Sequence, residues 1–152
     1  PYNPLNNPFV TAVSGTVQSY ILTSFVTDAD PTDGLMQATS SSITIETHTR
    51  TYADLPTPIS VTGATLTVED DGTTAIDDLT RYHIYYDDAA RAGGSVSLKA
   101  TKFSETAVNS GANPARHYVG SIITDTIGGT GTSDGGAIPP GWNESDWYNN
   151  PP

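Results

Sequence analysis

YHIYYDDAARAGGSVSLKAT, residues 82–101, decides the fold class. With Arg81 in front, its first half alternates: Tyr82, Ile84 and Tyr86 fall on one side, Arg81, His83 and Tyr85 on the other. Its second half alternates again, with Val96, Leu98 and Ala100 inward. A repeat of two is the signature of a strand, because successive side chains leave the backbone on opposite faces. Asp87–Gly94, between the halves, is a connection rich in Asp and Gly.

Outward from this pair the pattern recurs. RHYVGSIIT (116–124) is a long strand candidate, and SITIETH (42–48) sets Ile43, Ile45 and Thr47 against Thr44, Glu46 and His48. ISVTGATLTV (59–68) puts Ala64, Leu66 and Val68 on one face, and EDDGTT (69–74) is a turn of Asp-Gly type. FVTAVSGTVQSYILTSFV (9–26) is dense in β-branched and aromatic residues, and DADPTDG (28–34) reads as a loop. The strongest helix signal is the short SETAV at 104–108. These features predict an all-β chain: a small antiparallel β-sandwich or barrel-like domain with extended N- and C-terminal segments. The division expected is a Pro/Asn-rich lead-in at 1–10, a β domain at 11–127, and at 128–152 a flexible Gly-rich spacer with an aromatic docking tail.

A length of 152 residues suits one domain. Its formal charge of -11 disfavours nucleic acid and anionic membrane surfaces as partners. The six bases all lie between Arg50 and Arg116, where nine acids leave a net -3, and each flank carries -4. Without Cys there is no disulfide, thiolate nucleophile or cysteine metal site. No run is long and apolar enough to span a membrane, so no membrane insertion is expected.

Catalytic patterns are missing from the sequence. It has neither G-x-S-x-G nor a phosphate-binding glycine loop. His48, His83 and His117 fall on different strands without metal-ligand spacing, and read as surface or hydrogen-bonded structural groups. Asp28, Asp30 and Asp33 depart from a calcium loop because Gly34 comes one place late and Thr39 stands where Glu is needed. They and Glu69–Asp71 read as solvated turn acids, leaving a non-standard ion site as the alternative. Asp87 and Asp88 are adjacent on a strand and point apart, so they do not flank one glycosidic bond; a turn role with Arg91 as ion-pair partner is expected. No cofactor and no enzymatic activity are expected.

Two surfaces stand out as binding candidates. Tyr2, Leu5 and Phe9 in the lead-in, with Trp142, Trp147 and Tyr148 in the tail, are interface candidates, held extended by Pro4, Pro8, Pro139 and Pro140. Tyr52, Tyr85 and Tyr118 are candidates for stacking against a sugar.

The blocks YHIYYDDAARAGGSVSLKAT, NPARHYVGSI (113–122) and GGAIPPGW (135–142) resemble, in order, a module of bacteriophage and gene-transfer-agent tail or head appendages of the alphaproteobacterial type. Tyr85, Tyr86, Asp87, Asp88, Arg91, Gly93 and Gly94 match its first block, and Arg116, His117, Val119 and Gly120 its second. Similar modules often carry Pro where this chain has Ala89. The resemblance implies a structural or adaptor part of a virion, extracellular, docked to other virion proteins. It also implies a homo-oligomer, a trimer in a fibre or spike. The alternatives are a carbohydrate-binding module recognising a host surface glycan and, more weakly, a fragment of a glycan hydrolase.

Overall fold

The computed structural model describes residues 25–28 and 34–134, and side chains within 34–133. Ten strands and one helical turn follow in order: β1 (Phe25–Asp28), β2 (Met36–Ala38), β3 (Ile43–Ile45), β4 (His48–Thr51), β5 (Ile59–Val61), β6 (Ala64–Leu66), β7 (Arg81–Asp87), β8 (Lys99–Thr101), α1 (Ser104–Ala107), β9 (Arg116–Ile123) and β10 (Thr132–Asp134). They form three antiparallel sheets, in the orders β1-β4-β5, β10-β2-β3-β6 and β8-β7-β9.

β7 organises the interior. Tyr82, Ile84 and Tyr86 enter the main core with Leu98, Ala100, Val119 and Ile122 from their own sheet region. Met36, Ala38, Ile43 and Ile45 reach it from the second sheet and Val61 from the first. Tyr85, on the opposite face, packs in a small second cluster with Tyr118 and Ala107 of α1. The strand is therefore buried on both sides, and each fully buried large apolar side chain contributes roughly 1.5–3 kcal/mol of transfer free energy. β9 changes phase partway along: Ile84 faces Gly120 but Tyr85 faces Tyr118, so Val119 is an extra residue in the pairing. This bulge lets His117 and Val119 and then Ile122 all reach the core side.

Several expectations require correction. The stretch 42–48 is not one strand, because the chain breaks pairing at Glu46–Thr47 and passes from the second sheet to the first. That break inverts the phase, so His48 and Arg50 point inward rather than His48 lying on a polar outer face. The stretch 59–68 splits likewise, and Ala64 and Val68 are exposed while Leu66 packs partly on the core. Gly63 marks the crossing: a Cβ there would meet the backbone of Ile45, Glu46 and Thr47 at 2.2–2.6 Å, so only glycine permits the approach. Asp28, read as loop, ends β1. The spacer read over 128–137 contributes β10, whose Thr132, Ser133 and Asp134 pair with Ala38, Gln37 and Met36. Backbone pairing needs no apolar period, which is why hydrophobic patterning misses this strand.

Gly63→Ala is expected to cost roughly 1–3 kcal/mol through forced backbone displacement, whereas Gly111→Ala, with nothing within 4 Å, serves as a near-neutral control. Urea denaturation of both variants checks this. Equal stability of the two would contradict the crossing as described.

Candidate functional site

The motif-bearing segments meet around a buried polar cluster between β4, β7 and β9. β4 alternates, so Thr49 and Thr51 face outward while His48 and Arg50 face in, at 1% and 0% exposure. Arg50 Nη2 donates to the Tyr118 carbonyl at 2.6 Å, linking the first sheet to the third. Its guanidinium lies 5.8 Å from the centre of the Tyr86 ring. The His117 ring stacks on Tyr86, with centroids 4.8 Å apart and planes 5° from parallel.

The tautomer of His117 follows from its partners. Nδ1 lies 2.9 Å from the Ala115 carbonyl, which only accepts, so Nδ1 carries the proton. Nε2 then accepts from the Tyr52 hydroxyl at 2.5 Å. Burial holds the imidazole down to about 3, and the nearby Arg50 cation pushes the same way. The ring is a neutral joint between sheets, not a proton carrier near neutral pH.

The connection 87–94 closes over this cluster. Asp87 receives Arg116 Nε at 2.9 Å and Nη2 at 3.0 Å, a forked pair, and Arg116 Nη1 also donates to the Thr106 carbonyl at 2.7 Å. Arg116 holds the Asp87 carboxyl below the usual carboxylate range. The same guanidinium sits 4.2 Å from the centre of the Tyr85 ring. Asp88 accepts from the amides of Ala92 and Gly93 at 3.2 and 2.8 Å, which fixes the turn. Arg91 makes its ion pair with Asp54 at 2.8 Å and stacks over Tyr52 at 5.0 Å, correcting the expectation of pairing with the Asp87–Asp88 dipeptide. Gly93 has φ +66, and a Cβ there would lie 2.3 Å from the Ser60 carbonyl oxygen. The glycine thus lets the connection lie against β5, where Thr62 donates to the Gly94 carbonyl and Gly94 to that of Ser60.

On the other edge, the acidic turn at 69–74 is pinned by tyrosines from opposite faces of β7. Tyr82 donates to Glu69 at 2.8 Å and Tyr85 to Asp70 at 2.9 Å. Both phenols are pushed up to about 12, first by burial and then by these carboxylates. Asp71 instead accepts from the backbone amides of Thr73 and Thr74, each at 2.8 Å. The three acids are used separately, and among the described residues no group of three His, Cys, Asp or Glu is placed to hold a metal ion.

The three sugar-stacking candidates are buried: Tyr52 is 2%, Tyr85 4% and Tyr118 3% exposed. Tyr52 lies edge-on to His117 and under Arg91, Tyr85 under Arg116, and Tyr118 beside His83 with its hydroxyl 3.2 Å from Nδ1. Strand period identifies a side, but not whether a neighbouring segment covers it, and here α1 and the 87–94 connection do. None of the three presents a ring face to a sugar in this structure. Tyr2, Leu5, Phe9, Trp142, Trp147 and Tyr148 lie outside the described residues, as do Asp30 and Asp33. Arg50 was missed as a partner because a charged residue on a Thr-rich strand reads as surface. Its spacing of two from His48 and Tyr52 is the signal that groups all three on one face. Among the described residues no helix is long and apolar enough to cross a membrane.

Because folding lowers the His117 pKa below the unfolded value of about 6.5, the contribution is complete above that pH. It declines as pH falls toward about 3, the folded value. The expected loss is at most about 1.4 kcal/mol for each pH unit below 6.5. His83, half-buried and also lowered, acts in the same direction, so His117→Gln is expected to flatten the slope between pH 6.5 and 4.5 without abolishing it. Denaturant midpoints across that range test this, and an unchanged slope in the variant would contradict it.

Compared with known proteins, the chain finds no match among family models, curated proteins or solved structures.

Proposed function

We propose that this chain is a structural or adaptor component of a phage-like virion appendage, such as a tail fibre, tail tip or head spike, acting by docking to other virion proteins. The observation that carries the reading is how the first two of the three resemblance blocks are used. Asp87 bonds Arg116, Tyr86 stacks on His117, and Asp88 caps the turn ending at Gly93. Side chains of these blocks are engaged inside the fold and with one another, as expected of a module whose motif encodes shape. No catalytic residue or cofactor is part of this proposal.

One core drawing side chains from all three sheets supports a sandwich-like arrangement within the same reading. The partners are other virion proteins and further copies of this chain, a trimer in a fibre or spike, and the site of action is the extracellular particle. Docking through the ends of the chain accounts for the proline and aromatic residues there, and for Glu144 and Asp146 without a basic residue beside them.

The test is incorporation. In particles assembled with a chain lacking 138–152, mass spectrometry is expected to find the protein reduced at least several-fold relative to the full chain, with the free domain still folded. Undiminished incorporation, or absence of the full-length protein from purified particles, would overturn the proposal.

A further inference from the structure

The outer face of the second sheet carries a row of uncharged polar side chains. Met36, Ala38, Ile43 and Ile45 turn into the core, so Gln37 and Thr44 between them turn outward. The register sets Ser133 of β10 against Gln37, Gln37 against Thr44, and Thr44 against Thr65 of β6. Polar side chains thus cross the whole sheet in line, one for each strand, at a spacing of roughly 4.8 Å. The hydroxyls of Thr44 and Thr65 lie 3.0 Å apart, which fixes their common face.

Two open grooves flank β10 and share Thr132 and Ser133. One, of about 350 Å³, runs over the row at Gln37 and Thr44 and adds the hydroxyls of Thr39, Ser42 and Thr130. The other, of about 240 Å³, crosses onto the third sheet, where Arg81, Ser121 and Ile123 line it. β10 holds the two side by side, since Thr132 Oγ1 donates to the Ile123 carbonyl at 2.7 Å. Arg81 is exposed, donates to Ser121 Oγ at 2.7 Å, and forms an ion pair with no carboxylate of the described residues. In a chain with 17 Asp and Glu, no carboxylate lines either groove. Asp125, in the neighbouring loop, turns its carboxylate to the amides of Thr126 at 2.7 Å and Gly131 at 2.6 Å.

We propose that the two grooves form one binding site for a saccharide carrying an isolated carboxylate, such as a sialic or uronic acid. A sugar hydroxyl both donates and accepts, and so do the Thr and Ser hydroxyls that line the first groove. Arg81 takes the carboxylate in a charge-assisted bond, and Ile123, 45% exposed, lies against the C–H face of the ring. Charge complementarity selects this occupant. The cation stands in a stretch of surface without acids, while the formal charge of -11 disfavours a densely charged polymer. Hydroxyls therefore make most of the contact and one ion pair sets the choice of sugar. The site needs no stacking tyrosine. It does not rest on the virion reading, because every group it uses lies within the folded domain.

Amide NMR titration of the full-length chain tests this with sialyllactose, a glucuronoxylan oligosaccharide and hyaluronate hexasaccharide. Each is run beside a neutral counterpart: lactose, xylohexaose and the carboxyl-reduced hexasaccharide. The expected result is shifts centred on Thr44, Ser121 and Thr132 with at least one acidic member, bound about tenfold or more tighter than its counterpart. Arg81→Gln is expected to remove that advantage, and Thr44→Val to weaken acidic and neutral members alike several-fold, each with the circular dichroism melt retained. Lys99→Gln, which alters a cation outside the grooves, is expected to leave binding unchanged. No shift with any acidic member at millimolar concentration would overturn the proposal, as would an advantage that survives Arg81→Gln. Equal binding of hexaglutamate would overturn it in favour of a surface that reads charge alone.

Discussion

A buried guanidinium and a neutral imidazole hold the first sheet to the third. Arg50 reaches the Tyr118 carbonyl and Tyr52 donates to His117, so β4 and β9 are joined by side chains rather than by a strand ladder. Burying an arginine is costly unless its donors and charge are accommodated. That cost makes the contact specific: a shifted β4 would bury the same cation against the wrong atoms. Stacking on Tyr86 places the joint against the centre of the core, so its geometry and the packing of β7 depend on each other.

The same economy governs the edges of the β8-β7-β9 sheet. Along β9, the carbonyls of Arg116, Tyr118 and Ile123 accept from the side chains of Asn109, Arg50 and Thr132. Across the sheet, the Asp70 amide donates to the Ala100 carbonyl of β8 at 2.8 Å, and Tyr82 and Tyr85 fasten that turn in place. Unpaired edges invite pairing with other chains, and these contacts occupy both.

The alternation of Tyr82, Ile84 and Tyr86, and of Val96, Leu98 and Ala100, was legible because the side chains of each set all enter or pack against the main core. The short helix at 104–107 was legible for its local composition. The split of 42–51 and 59–68 into strands of different sheets was not, since it depends on Gly63 approaching Glu46 and Thr47 from a distance in sequence. Nor was the bulge at Val119, which leaves an apolar run looking continuous. At the candidate site, the residue types of the motif blocks were visible, and their pairings were not: Arg91 goes to Asp54, and Asp87 goes to Arg116. Charges near one another in sequence are separated by a turn whose shape Asp88 and Gly93 set.

The polar groups between β4 and β9 hold the fold together. A double-mutant cycle with Tyr52→Phe, His117→Gln and the pair, read by equilibrium urea denaturation at pH 7.5, measures it directly. Each single change is expected to destabilise, and the two to couple by about 0.5–3 kcal/mol, in a single cooperative transition. Two changes that add independently, or singles that leave stability unaltered, would contradict it.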